Sequence, residues 1–326
     1  MKNNTKRDRP QVLLVGNGID ICGSYFGGKF VKGNNFTTKD ILETFCKKGS
    51  NSTVPDNISH LPFPLQFEQV IGGEKTERTG KFSKETKEKL IETLTQLSES
   101  KNNEHLDMPG KLLDLDSDAI LTTNYTYTLE QNLRRDFDKN FSEFRRYTLN
   151  NKDRRGETGY LMHTFYEIKK DDDPKRIWHI HGEIKKPDSI ILGHYGYFKL
   201  IGKILEKPKK VAKSPDNDDL GKPISWPDLF VNSDLYVLGY SFDIAEIDLW
   251  GLLSLKRNAK NPGSVVFYEL PNPKDKLQTA KWDLLRSKNV EIEDCGFVFD
   301  RKPTDEDYYN FYCKAIEDIK RRIEEK

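Results

Sequence analysis

The chain has 326 residues, and its 53 Lys and Arg against 52 Asp and Glu leave a formal net charge of +1. That balance gives no overall electrostatic case for nucleic acid or an anionic membrane as partner. With 32% charged residues and a mean hydropathy of −0.75, no run approaches the ~20 apolar residues needed to span a bilayer.

Residues 11–15 (QVLLV) form an apolar run ending at Gly16, which predicts a buried strand turning toward a helix. Residues 30–81 are rich in Gly, Asn, Ser, Thr and Pro and read as loops around one short helix near 39–47. In 82–100, Leu90, Leu94 and Leu97 recur at helical spacing. Ser83 occupies the N-cap position, with Thr86 rather than Glu three residues on, an incomplete capping box. Residues 118–123 (DAILTT) predict a second sheet strand and 127–137 the helix after it. The stretch 149–157 reads as a polar loop, and 160–168, 176–181 and 189–192 as strands. Residues 203–224 are charged, contain Pro and carry few large apolar side chains, which predicts a mobile loop. Residues 234–238 and 264–269 complete the expected parallel strands around a helix near 245–258, and 290–299 supplies one more strand. From Thr304 a helix carries Tyr312, Ile316, Ile319 and Ile323 on one face. Strands alternating with helices predict an α/β fold built on a doubly wound, mostly parallel sheet with helices on both faces. A smaller inserted helical and loop subdomain is expected within a single domain over 1–326, with insertions at 30–117 and 135–230.

The N-terminal stretch MKNNTKRDRPQ is polar and basic and lacks the pattern of a signal peptide, so a cytoplasmic location is expected. The four cysteines, Cys22, Cys46, Cys295 and Cys313, form no Cys-x-x-Cys pair and read as inert thiols.

Four motifs follow or close the strand-like runs, at the carboxyl ends where open parallel sheets bind ligands. Gly16-Asn17-Gly18-Ile19-Asp20 suits close approach of a diphosphate to a helix N-terminus. It equally suits a tight strand–helix turn with Asp20 as N-cap. In Thr122-Thr123-Asn124-Tyr125 the Asn124 amide can hold ribose hydroxyls or a water, or satisfy neighbouring backbone. His179-Ile180-His181-Gly182 puts both histidines on one face if the segment is a strand. His181, with an ordinary pKa of ~6.5, is the natural general base, and His179 reads as a hydrogen-bonded core residue. In Gly239-Tyr240-Ser241-Phe242-Asp243, Gly239 and Ser241 suit phosphate, and Asp243 or Asp248 suits a ribose diol. Ser241 or Asp243 equally serves as N-cap of 245–258. Glu68 reads as an exposed helix position or as a carboxylate behind the site. The lysines at 203, 207, 209, 210 and 213 read as a solvated loop. A metal site would draw on His179 and His181 with His163 or His194, but no recognised ligand spacing is present, so no metal is expected.

Taken in order, these motifs resemble the sirtuin superfamily, and more closely its antiphage branch and the abortive-infection AbiH family. The resemblance runs from about residue 11 to 250. Gly-Asn-Gly-Ile-Asp looks more like AbiH than like the Gly-Ala-Gly of sirtuins. It implies a Rossmann-like domain that takes NAD as substrate and hydrolyses it to nicotinamide and ADP-ribose. By that resemblance Asn124 and His181 are catalytic. Gly16, Asn17, Gly18, Asp20, Thr123, Tyr125, Thr126, Gly239, Ser241 and Asp243 bind the dinucleotide. It also implies an antiviral effector gated by homo-oligomerisation or a partner protein. Two departures stand out. The four-cysteine zinc module of sirtuin deacylases is absent, which argues against deacylation. Thr126 stands where many relatives have Asp, which puts turnover against mere binding in question. Two other classes stay open: a non-catalytic NAD or ADP-ribose sensor, and a metal-dependent hydrolase or nuclease using the His cluster and the Lys-rich loop.

Overall fold

The computed structural model describes residues 9–26, 29–31, 37–48, 54, 61–71, 83–99, 107–148, 157–170, 173–205, 225–260 and 262–326. Strand β1 (Gln11–Val15) leads into a short helix α1 (Gly18–Ile21) and an antiparallel pair, β2 (Ser24–Phe26) with β3 (Lys29–Val31). Helices α2 (Thr38–Lys48), α3 (Phe63–Ile71), α4 (Lys84–Glu99) and α5 (Met108–Leu113) precede β4 (Ala119–Thr122). Then come α6 (Thr128–Leu133), α7 (Phe137–Phe144), β5 (Arg145–Tyr147), α8 (Glu157–His163), β6 (Thr164–Lys170) and β7 (Asp173–His179). The chain continues through α9 (Gly193–Leu205), α10 (Trp226–Asn232), β8 (Asp234–Leu238), α11 (Ile247–Arg257) and β9 (Val265–Tyr268). It closes with α12 (Lys276–Arg286), β10 (Glu291–Glu293) and α13 (Asp305–Glu324).

The main sheet has eight strands in the order β10-β9-β8-β1-β4-β7-β6-β5. The strands from β10 to β7 are mutually parallel, whereas β6 and β5 are added antiparallel at one edge. The chain lays β4 and then β7 on one side of β1, and β8, β9 and β10 on the other. This is the doubly wound, Rossmann-like order, and the direction of winding reverses between β1 and β8. Alternate residues of β1 feed two cores. Val12 and Leu14 join Leu121, Val237 and Phe267 under Met162 of α8, Leu200 of α9, Phe230 of α10 and Leu252 of α11. Leu13 and Val15 join Ile120, Tyr236 and Val266 under Leu112 of α5 and Phe311 and Ile319 of α13. Both sheet faces are covered, so the central strands are apolar throughout rather than alternating.

A separate cluster joins Ile41 and Phe45 of α2, Phe67 of α3 and Leu90 and Leu94 of α4. The expected helices at 39–47 and 82–100 are present, and the Thr86 amide donates to Ser83 Oγ at 3.2 Å as the N-cap reading requires. Helix α3 corrects the loop expected over most of 30–81 and agrees with the helix position read for Glu68; its short apolar stretch Phe63–Ile71 is set in Gly- and Pro-rich sequence.

Other expectations are corrected. Residues 160–163 end α8, and β6 begins only at Thr164 and runs antiparallel. The helix expected over 127–137 is interrupted at Arg134, whose extended backbone (φ −142°) separates α6 from α7. No strand forms at 189–192. A 3₁₀ turn at Pro187–Ser189 leads into α9, and Ile191 and Leu192 bury their side chains in two different core clusters without a sheet partner. Strand β10 stops at Glu293, because positive φ at Cys295 (55°) and Gly296 (73°) turns the chain. Of the expected loop at 203–224, residues 203–205 finish α9 and 206–224 lie outside the described residues, as do 149–156 of the polar loop. Helix α13 starts at a full capping box between Thr304 and Asp307. Among the described residues no helix is long and apolar enough to cross a membrane.

Candidate functional site

The turns after β1 and β8 meet where the winding reverses. Gly16 N–H donates to Leu238 O at 3.0 Å, and Gly18 N–H donates to Gly239 O at 2.8 Å. A Cβ on Gly16 would stand 2.4 Å from the Gly239 carbonyl oxygen, and one on Gly18 would stand 2.7 Å from Tyr312 Oη. Gly239 itself has φ +65°, a left-handed conformation that favours glycine. Over these turns opens a cleft of about 370 Å³, within the ~300–1,000 Å³ usual for ligand sites. Asn17, Gly18, Thr123, Asn124, Tyr125, Thr126, His181, Gly239 and Ser241 all line it, so residues from all four motifs meet there.

Asn124 is 8% exposed and held from three sides. Its Nδ2 donates to Asp20 Oδ2 at 2.9 Å, and its backbone N–H donates to Thr122 Oγ1 at 3.1 Å. His179 Nδ1 lies 2.8 Å from the Asn124 carbonyl oxygen, and His179 Nε2 lies 2.8 Å from Glu130 Oε1. The Asn124 Oδ1 is buried and has no hydrogen-bond partner among the described residues. Burial pushes the His179 pKa down, but Glu130 outweighs it and leaves the imidazole at about 9. At neutral pH both ring nitrogens therefore carry protons and both donate. Burial raises the Asp20 carboxyl to about 7 against hydrogen bonds from Thr128 and Asn124 that favour the charge. Asp20 is thus not an N-cap: it sits inside α1 and its side chain fixes the Asn124 amide.

His181 does not share a strand face with His179. Strand β7 ends at His179, and a turn carries His181 into the cleft wall ahead of Gly182, whose φ is +97°. His181 Nε2 lies 3.0 Å from Asp248 Oδ2, in the first turn of α11, and its ring meets Tyr197 edge-on at 5.5 Å. Burial lowers the His181 pKa, and the Asp248 carboxylate more than reverses this, so the net shift is upward. With Nε2 held by Asp248, Nδ1 makes no hydrogen bond among the described residues. Glu246 also lines the cleft and accepts a hydrogen bond from the Tyr240 hydroxyl. Burial pushes its carboxyl up to about 8.

The remaining candidates divide. Gly16 and Asp20 lie directly behind the cleft wall. Ser241 is exposed and lines the cleft. Asp243 is exposed, lies outside the cleft walls and accepts the Ala245 amide at 2.8 Å in a local turn. Helix α11 has Glu246 at its N-cap, without a side-chain cap bond, so neither Ser241 nor Asp243 caps it. Glu68 accepts the His194 amide at 2.5 Å and meets His194 Nδ1 at 3.2 Å, which ties α3 to the start of α9. The four histidines weighed as metal ligands are each held elsewhere: His163 by Thr148, His179 by Glu130, His181 by Asp248 and His194 by Glu68. Among the described residues no group of three or more His, Cys, Asp or Glu side chains could hold a metal ion. Lys203 lies in the last turn of α9, and Lys207, Lys209, Lys210 and Lys213 lie outside the described residues.

Sequence reasoning missed Glu130, Glu246, Tyr197, Glu269, Tyr308 and Tyr312 as neighbours of the site. The signal for Glu246 was present, a carboxylate at the start of the helix that follows the Gly239 turn. For Tyr308 and Tyr312 there was none, because helical periodicity marks a buried face without naming what it covers.

The model of the SIR2-like domain family matches residues 118–292, from the residue before β4 into β10. No curated protein matches the chain. The Gly16–Asp20 turn and helix α13 fall outside the matched span, yet they complete the same cleft. Matched over more than half of its 326 residues, the chain belongs to the SIR2-like domain family.

Proposed function

We propose that the protein is an NAD+ glycohydrolase, cleaving NAD+ to nicotinamide and ADP-ribose in the cleft at the β1–β8 reversal. SIR2-like domains commonly act on NAD+. The observation that carries the reading is the pairing in one cleft of an amide and an imidazole, each anchored by a buried carboxylate: Asn124 by Asp20, His181 by Asp248. Preorganisation of this kind leaves little rearrangement for the reaction step. A glycine turn with no room for a Cβ also suits a diphosphate brought close to backbone.

The N-glycosidic bond would break with its electron pair passing to the ring nitrogen, so nicotinamide leaves neutral and the ribose becomes oxocarbenium-like. Asn124, with its unpartnered Oδ1, holds the ribose and the attacking water. Water adds at the anomeric carbon, and His181 Nδ1 takes a proton from the water or from a ribose hydroxyl. A positioned base contributes ~10²–10⁴ in rate. The four free cysteines are spread over two core clusters, Cys46 in one and the other three against another, which speaks against a four-cysteine zinc module and against deacylation. The wider role we propose, from the motif resemblance, is that of an antiphage, abortive-infection effector in the cytoplasm. It would act as a single domain with insertions at 30–117 and 135–230. Homo-oligomerisation or a partner protein would gate its activity.

One observation favours a second reading, an NAD or ADP-ribose sensor without turnover. The neutral Thr126 lines the cleft with its Oγ1 3.4 Å from Thr128 Oγ1, at the position where the motif resemblance leads one to expect Asp. The deciding experiment is chromatography of nicotinamide release, with and without extract of phage-infected cells. Wild type should release nicotinamide, and Asn124→Ala and His181→Ala should not. NAD+ binding without release in either condition would replace the hydrolase by the sensor.

A further inference from the structure

We infer that Glu246 recognises the positive charge of the substrate's pyridinium ring, so that the cleft selects the oxidised dinucleotide over its reduced form. The inference rests on the dinucleotide reading of the cleft and adds to it the charge state of the ligand.

No Lys or Arg is among the described residues that line the cleft. Of the acidic and basic groups that do, His181 is matched by Asp248, and Glu269 accepts from Lys281 Nζ and Trp282 Nε1. Glu246 has only the neutral Tyr240 hydroxyl on its Oε2, and among the described residues no Lys or Arg pairs with it. It stands at the N-cap of α11, two residues before the Asp248 that holds His181, and lines the cleft together with His181. A carboxylate in such a place is costly to ionise without a cation nearby. Burial raises Glu246 to about 8, Asp248 adds to the rise, and His181 and a backbone hydrogen bond at Asp243 oppose it.

A second observation points the same way. Asn124 Oδ1, on a residue only 8% exposed, is an acceptor without a donor among the described residues. A carboxylate without a cationic partner and an amide oxygen without a donor, both lining the cleft, suit a ligand that is cationic and rich in N–H groups. A pyridinium ring bearing a carboxamide is both. The dihydropyridine of the reduced dinucleotide keeps the carboxamide but is neutral, so it forfeits the Glu246 term. As the glycosidic bond breaks, the positive charge moves only from ring to ribose, and the same carboxylate remains close to it.

The test is calorimetric binding at pH 7.5 of three ligands to the full-length protein. They are an uncleavable NAD+ analogue with a methylene in place of the ribose ring oxygen, NADH, and ADP-ribose. Wild type is expected to favour the oxidised analogue over NADH on the order of 10-fold or more, the scale of one charge pair at partial burial. Binding of the analogue, repeated in buffers of different ionisation enthalpy, should release roughly three-quarters of a proton, the share of a carboxyl at about 8 still protonated at pH 7.5. Glu246→Gln should bring the preference to within about twofold and abolish proton release, leaving ADP-ribose affinity unchanged. If Glu246→Gln keeps both the preference and the proton release, Glu246 is not the recognising group. Wild type that binds NADH as tightly as the analogue overturns the inference without any variant. Wild type that binds none of the three removes the dinucleotide reading itself.

Discussion

Replacing Gly16 by alanine tests whether the crevice depends on the contact between two turns. The new Cβ would sit 2.4 Å from Gly239 O, 2.7 Å from Tyr240 Cα and 2.9 Å from Gly239 C. These are all backbone atoms, so no side chain can swing aside. The β1 and β8 turns must separate, straining bonds of 3.0 Å from Gly16 to Leu238 and 2.8 Å from Gly18 to Gly239. Overpacking of this kind costs about 1–3 kcal/mol, and weakening one of the bonds adds about 1 kcal/mol. In a chain of this size the melting temperature should fall on the order of 3–6 °C. Affinity for a dinucleotide should fall with it, because the same turns floor the cleft. Gly251 is the control. It lies on the exposed side of α11, and a Cβ there meets nothing within 4 Å. Gly251→Ala should therefore stabilise by about 0.5–1 kcal/mol. Thermal melts followed by circular dichroism, with ligand titrations, read both variants. Gly16→Ala melting with wild type, or Gly251→Ala falling as far as Gly16→Ala, would refute the packing argument.

The His179–Glu130 pair makes stability depend on pH. His179 titrates at about 9 folded against its ordinary 6.5, so its contribution is complete below about 6.5 and fades as pH rises through 9. Glu130→Gln should flatten the loss of stability between pH 6 and pH 9 in urea melts by about 1–3 kcal/mol; an unchanged slope would contradict the pairing. Asp248 holds the His181 pKa up. Asp248→Asn should thus shift the acid limb of the rate profile to lower pH and cut kcat roughly 10²-fold or more with little change in KM. Wild-type kinetics in that variant would remove Asp248 from the account. Buried Lys256 donates to Val231 O at 3.0 Å and Ser233 O at 2.5 Å, and burial lowers its pKa to about 7. Lys256→Met keeps the packing but strands both carbonyls, so chemical denaturation should show a loss of about 1–3 kcal/mol, and a gain would count against this role.

Much of the central sheet was legible because parallel strands covered on both faces must be apolar throughout. QVLLV, AILT, DLYVL and VVFY stand out from polar surroundings for that reason. The motifs were legible for a related reason, since three of them mark the carboxyl end of one of those runs and the fourth, His179–Gly182, closes β7. Pairing was not legible. The run SIIL has the composition of a strand but joins no sheet; the Ile191 amide donates to His181 O at 2.8 Å, and the segment packs as a connection instead. The roles of single acids were also hidden. Asp20 was read as a cap or a ligand contact, and only folding shows it 104 positions away, bonded to Asn124. Asp248 was read as a ribose partner, whereas its carboxylate faces His181, 67 positions back. Spacing along the chain cannot carry such information, because the topology decides which turns meet.

The most direct test of the account is mass spectrometry of the products formed from NAD+ in H₂¹⁸O. The account expects free nicotinamide and ADP-ribose carrying one ¹⁸O at the anomeric carbon. Both should be made by wild type and lost in Asn124→Ala and His181→Ala. Intact NAD+ after incubation with wild type under activating conditions, or turnover that survives both substitutions, would contradict it.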